Sequence, residues 1–162
     1  MKTFFFLIAA LISLATTAQV TKVSIQASGL TCSMCSNSIN KSLKTIGFVE
    51  DVKPNIKTST FDITFKPNMK VDFELLRKKV EDAGFTIANF VAAVNFNNIQ
   101  VKSNQPVKVG DKTFNIVNAK DQALNGTKQL RVVDKGFVSN KEYKKNTLTG
   151  TASGSGVYNV TI

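Results

Sequence analysis

Apolar residues alternate with polar ones in "VSIQA", so Val23, Ile25 and Ala27 share one face of a half-buried strand. The period then lengthens. Cys35, Ile39, Leu43 and Ile46 recur at helical spacing, and Gly47 supplies a stop. "FVEDV" reads as a second strand and "KPNIKTS" as a turn region, while "TFDITF" alternates Phe61, Ile63 and Phe65 as a third strand. Asp72 is placed to cap a second helix in which Phe73, Leu76, Val80 and Ala83 share a face, ended by Gly84. A fourth strand starts near Phe85 and runs through "TIANFVAAV".

The order β-α-β-β-α-β over residues 19–91 predicts an α+β, ferredoxin-like arrangement, an antiparallel sheet with both helices on one face. In that topology the end of the first strand and the return from the second helix lie at the same edge. The cysteine-bearing loop after Ser28 is therefore expected beside the Gly84–Phe85 turn.

Residues 92–162 lose the helical period. "AVNFNNIQVKS", "PVKVGDKTFNIVN", "TKQLRVV" and "GVYNVTI" read as strands, separated by the turn-rich pieces "AKDQALNG" and "TGTASGSG". One short helix, "SNKEYKKN", is expected between the third and last of them. Several strands with one helix after the third predict a small, partly open barrel of the oligonucleotide/oligosaccharide-binding type, with a small sandwich as the alternative. No Gly/Pro-rich linker separates the halves, so the fourth strand is expected to pass straight from one into the other.

The chain opens "MKTFFFLIAALISLATTAQV": one basic residue, an apolar run from Phe4 to Ala15, then small residues to Ala18. This is the layout of a secretory leader over residues 1–18, cleaved after Ala18. The run is shorter than the roughly 20 apolar residues that span a bilayer. The expectation is a periplasmic or secreted protein with no integral membrane segment once the leader is removed. Loss of Lys2 leaves twenty Lys and Arg against eleven acidic residues, a balance that favours acidic partners. Export argues against nucleic acid as the partner, and apart from "RKK" and "KEYKK" the charges are scattered as on a solvated surface.

The chemistry concentrates in "SGLTCSMCS", Ser28 to Ser36, which holds both cysteines of a 162-residue chain without histidine. Two thiols at this spacing suit a disulfide, a redox pair, half of a zinc site, or a whole site for a soft metal ion. A bridge across two residues closes a very small loop and constrains the unfolded chain little, so it is a poor staple. A thiol–disulfide oxidoreductase is the enzymatic alternative. The lack of Trp and the split β-α-β pattern weigh against it, so no enzyme is expected. The second half shows no acid/base pair, phosphate loop or nucleophile–base set, and its expected role is to recognise or position a partner. The sequon "NGT" bears on glycosylation only in a eukaryotic secretory pathway.

"VSIQASGLTCSMCSNSINKSL" and the later "VEDAGF" resemble the heavy-metal-associated domain shared by copper chaperones and the amino-terminal modules of copper-transporting P-type ATPases. The resemblance covers residues 20–91. It implies that Cys32 and Cys35 are the metal ligands, that Phe85 stands where an aromatic or lysine approaches the metal, and that the function is delivery or sequestration. Leu30 replaces the usual buried methionine, a volume-conserving change that keeps the loop anchored. Met34 is a candidate third soft ligand, although exposure or packing is its commoner role.

The physics of the ligands agrees with that implication. Thiolate is the ligand form, and Cys35 in the first turn of a helix meets unpaired N–H groups and the positive end of the dipole. Two thiolates satisfy Cu(I), with Ag(I) or Hg(II) as surrogates. Tetrahedral Zn(II) wants two further ligands, which it would have to recruit from Asp, water or a second molecule. Lys41 and Lys44 on the first helix are candidates to meet an acidic or metal-accepting protein partner, with ordinary helix-surface charge as the alternative.

Overall fold

A computed structural model describes residues 19–102, 105–117, 120–146 and 155–162. Residues 1–18, the expected leader, lie outside the described residues. The chain runs β1 (Gln19–Ser28), α1 (Ser33–Lys44), β2 (Val49–Asn55), β3 (Thr60–Phe65), α2 (Phe73–Asp82) and β4 (Thr86–Val101). It continues through β5 (Pro106–Val109), β6 (Lys112–Ile116), β7 (Gln122–Val132), α3 (Asn140–Asn146) and β8 (Val157–Thr161).

The first six elements follow the expected order. β1 lies between β3 and β4, antiparallel to both, and β2 pairs outward on β3. Val23, Ile25 and Ala27 are buried on one side of β1, as are Phe61 and Ile63 on β3. Ile39 and Leu43 of α1 and Phe73, Leu76 and Val80 of α2 are buried in the same core. The Asp72 side chain caps α2, accepting from the backbone N–H groups of Glu74 and Leu75 at 2.9 and 3.1 Å. β2 runs on through Lys53, Pro54 and Asn55, which the sequence places in a turn. Pro54 is tolerated there because β2 is the edge of the sheet, pairing only with β3.

The second half departs from the expected barrel. Its strands join the first sheet, giving one eight-stranded order β2-β3-β1-β4-β7-β8-β6-β5 that ends openly at β5. β4 crosses the expected boundary at residue 91 without a break. Its first part pairs with β1 while Val91 to Val101 pair with β7. β7 thereby covers the side of β4 that a four-stranded domain would leave free. The short helix is found where expected, between β7 and β8. "QALNG", read as turn-forming, belongs instead to β7: Gly126, at φ +71, sits in an irregularity of the β4–β7 ladder. A glycine at positive φ serves a bulge as well as a turn.

One core joins the halves. The Phe73 ring, at the start of α2, lies 4.9 Å from Phe90 of β4, 5.0 Å from Tyr158 of β8 and 6.4 Å from Phe114 of β6, centroid to centroid. Phe137, in the segment after β7, meets Phe90 and Tyr158 edge-on at 5.0 and 5.7 Å. Two buried polar groups pin the second half. Lys112, 3% exposed, donates its ammonium to the Val71 carbonyl and to Asp111 Oδ1, and stands over the Phe73 ring. The Asp134 carboxylate accepts from the backbone N–H and the side-chain amide of Asn159 at 2.8 and 2.7 Å.

Candidate metal site

β1 ends at Ser28, and Gly29, at φ +79, turns the chain out of the sheet into the cysteine loop. Leu30 is half-buried and packs against the core, the anchoring role expected for an apolar residue there. Cys32 is the N-cap of α1 with extended backbone. Its Sγ accepts from the Cys35 N–H at 3.1 Å, and its carbonyl accepts from the Ser36 N–H at 3.2 Å. Both sulfurs thus stand at the amino end of α1, where unpaired amide groups favour negative charge. The first turn of α1 carries no acidic side chain to oppose it.

The two cysteines are joined as a disulfide, with their Cα atoms 5.3 Å apart. Cys32 is exposed and Cys35 half-buried. In this bridged form neither sulfur is a thiolate. Reduction, taking up two electrons and two protons, returns two thiols whose ionisation the helix end favours. Met34, between them in sequence, is 82% exposed.

The register of β1 on β4 pairs Ser28 with Thr86, so the Gly84–Phe85 turn lies at the same end of the sheet as the cysteine loop, as expected. Gly84 takes φ +88 and donates its N–H to Glu81, while the Phe85 N–H donates to Val80. Phe85 is half-buried and packs against the core. Both lysines are exposed, and Lys44 lies 3.4 Å from Asp51.

Two neighbours of the loop escaped the sequence reading. The β2–β3 hairpin reaches the same end, with the Ala27 N–H donating to Ser59 at 2.9 Å and the Gln26 amide to Thr58. It leaves Ile56 58% exposed. The antiparallel pairing of β1 with β3 dictates this placement, so the predicted topology already contained it. The second neighbour is a cavity of about 390 Å³ lined by Arg77, Glu81, Thr86, Lys135 and Ser139, among others, which the second half closes. Arg77 stacks on Phe137 and holds Glu74 and Glu81 at 2.9 and 2.6 Å. Burial pulls its pKa down, and the two carboxylates more than offset this, leaving it raised. No signal in a single sequence brings residues 135–139 to Thr86.

Among the described residues there is no cluster of three or more Cys, Asp and Glu side chains able to hold a metal. The donor set on offer is the sulfur pair, which suits a soft ion of low coordination number better than a tetrahedral one.

The comparisons agree with this geometry. Residues 24–86 match the family model of the heavy-metal-associated domain. The chain is 34% identical over 71 residues to a probable copper-exporting P-type ATPase of Archaeoglobus fulgidus, 44% of this chain and 9% of that one. It is 35% identical over 66 residues to the probable copper-transporting ATPase HMA5 of Arabidopsis thaliana, 41% of this chain and 6% of that one. The chain therefore spans less than a tenth of the length of these relatives. A solved copper-binding domain from HMA7, a P-type ATPase, is 29% identical and aligns over 40% of this chain and 86% of its own, with a TM-score of 0.36. Sequence motif, element order and family match converge on one region: residues 24–86 match the heavy-metal-associated domain.

Proposed function

We propose that this chain is an exported carrier of a soft metal ion, Cu(I) first, bound by the reduced sulfurs of Cys32 and Cys35 for delivery or sequestration. The observation that carries the reading is the placement of both sulfurs on one helix amino end, with the Cys35 N–H directed at Cys32 Sγ. A backbone donor and an aligned dipole stabilise the anionic sulfur that the metal requires. Two thiolates complete the preferred coordination of Cu(I), and Ag(I) or Hg(II) would occupy the same pair. Exposure of Cys32 and Met34 supports transfer: an incoming sulfur of a metal-accepting protein joins the ion before Cys32 leaves. Export is supported by the leader pattern of residues 1–18.

The bridge between Cys32 and Cys35 favours a second reading, a thiol–disulfide oxidoreductase working through the same pair. Titration of the reduced chain with Cu(I) against a competing chelator separates the two. The expected result is one ion per chain, lost in Cys32→Ser. Failure to compete with even a weak chelator, together with rapid reduction of insulin by the wild type but not by Cys35→Ser, establishes the oxidoreductase instead.

A further inference from the structure

Asn125 is the only asparagine followed by glycine in the sequence, and it is set in β7 in an unusual way. The β4–β7 ladder pairs Ile99 with Leu124 and Phe96 with Gly126, and Asn125 falls between these two pairs, within the irregularity. On the facing strand the same irregularity holds Asn98 at φ +47. The Asn125 side chain is exposed and folded back on its own chain, where Oδ1 accepts the Gly126 N–H at 3.0 Å. The side-chain amide is therefore held against the peptide nitrogen that follows it. Gly126 brings no side chain of its own to crowd the approach of its nitrogen to Asn125 Cγ.

From this arrangement we infer that Asn125 is a site of spontaneous deamidation in the folded protein, with Gly126 N as the nucleophile. A turn about the last side-chain bond presents Cγ to that nitrogen. The Gly126 N–Cγ bond forms and the Cγ–Nδ2 bond breaks. The proton from Gly126 N leaves with Nδ2 as ammonia, and a succinimide remains. Water then opens the ring at either carbonyl, giving aspartate or isoaspartate. No oxidant or reductant is involved, and the rate rises with pH because the attacking nitrogen must lose its proton.

Either product places a carboxylate on a chain that is otherwise basic. The isoaspartate also adds one atom to the backbone of β7, between the pairs that tie it to β4. The modification thus falls on the ladder that joins the two halves.

The test is incubation of the chain from residue 19 at mildly alkaline pH and physiological temperature, followed by tryptic mapping of Asp121–Lys128. The expected result is progressive conversion of Asn125 to the acid, mostly as isoaspartate, while Asn37, Asn55 and Asn68 in the same digest stay intact. Asn125→Gln, which forms the larger ring reluctantly, loses the signal on that timescale. A parallel incubation in denaturant fixes the intrinsic rate of the segment. A folded-state rate within a few fold of it supports the inference. Suppression in the folded chain, with conversion only in denaturant, shows that the ladder protects Asn125 and overturns it.

Discussion

The two halves of the sheet use the same strand β4 for different purposes. On one side, β1 to β3 and two helices build a unit whose outer end presents a reactive pair of sulfurs on an exposed loop. On the other, β5 to β8 present no comparable chemistry, and their conspicuous side chains point inward: Phe114, Tyr158 and Phe137 onto Phe73 and Phe90, Lys112 beneath Val71, and Asp134 onto Asn159. The first half spends its polar chemistry at the surface and the second spends it in the interior. The second half supports the first structurally: it covers the free side of β4, braces the start of α2, and lines the cavity beside Thr86.

If that division holds, removing the shared ring damages both halves at once. Phe73→Ala is expected to cost about 3–5 kcal/mol, the usual range for emptying a packed phenylalanine site. Denaturant unfolding followed by far-ultraviolet circular dichroism and by tyrosine fluorescence should show one transition at a lower midpoint. Two separate transitions, with only one displaced, break the picture of a common core.

A second variant sharpens the contrast from the metal side. Gly84 sits at φ +88 with nothing within 4 Å of a notional Cβ, so Gly84→Ala introduces backbone strain without a clash. The expected loss is about 1–2 kcal/mol. It should lower Cu(I) affinity of the reduced chain through the Gly84–Phe85 turn, while hydrogen-exchange protection of β6 and β8 falls by no more than that overall loss, because the halves share one core. Unchanged Cu(I) affinity in the folded variant contradicts a role of this turn in the site.

The smallest effect is confined to high pH and reports on the second half. Burial, aided by the negative charges of Glu74, Asp72, Asp111 and Asp134, pushes the Tyr158 hydroxyl well above its ordinary 10.0. Below pH 10 the hydroxyl is neutral in both folded and unfolded chains and adds no pH dependence. Above it the unfolded chain releases the proton first, so stability falls as pH rises. Denaturant midpoints compared on either side of pH 10 should decline, and Tyr158→Phe should remove that part of the decline.

The sequence disclosed the first half well because each of its elements has its own period and its own punctuation. Asp72 caps the second helix, Gly84 ends it, and Val23, Ile25 and Ala27 alternate as a strand that is buried on one side. The cysteine loop was legible for the same reason, since its place at the start of a helix follows from where the helical period begins. The second half was legible as strands but not as an architecture. Alternation tells which face of a strand is buried and says nothing about its neighbours, so strands that extend an existing sheet look the same as strands that close a barrel. "NG" illustrates the limit at one dipeptide, for a glycine of positive φ reads as a turn whether or not the strand continues past it. Nor does a cysteine spacing state whether the pair is joined or open, which depends on the surrounding thiol chemistry.

The sixteen residues of β4 carry one further consequence. A protein assembled from separable modules usually betrays the join to a protease, which nicks an unpaired connecting segment and frees the pieces intact. Here the passage from one half to the other is made in the middle of a sheet, hydrogen-bonded on both flanks around Val91 to Val94. Digestion has no tether to sever at that point. The metal-binding end and its support are built to persist together or be lost together.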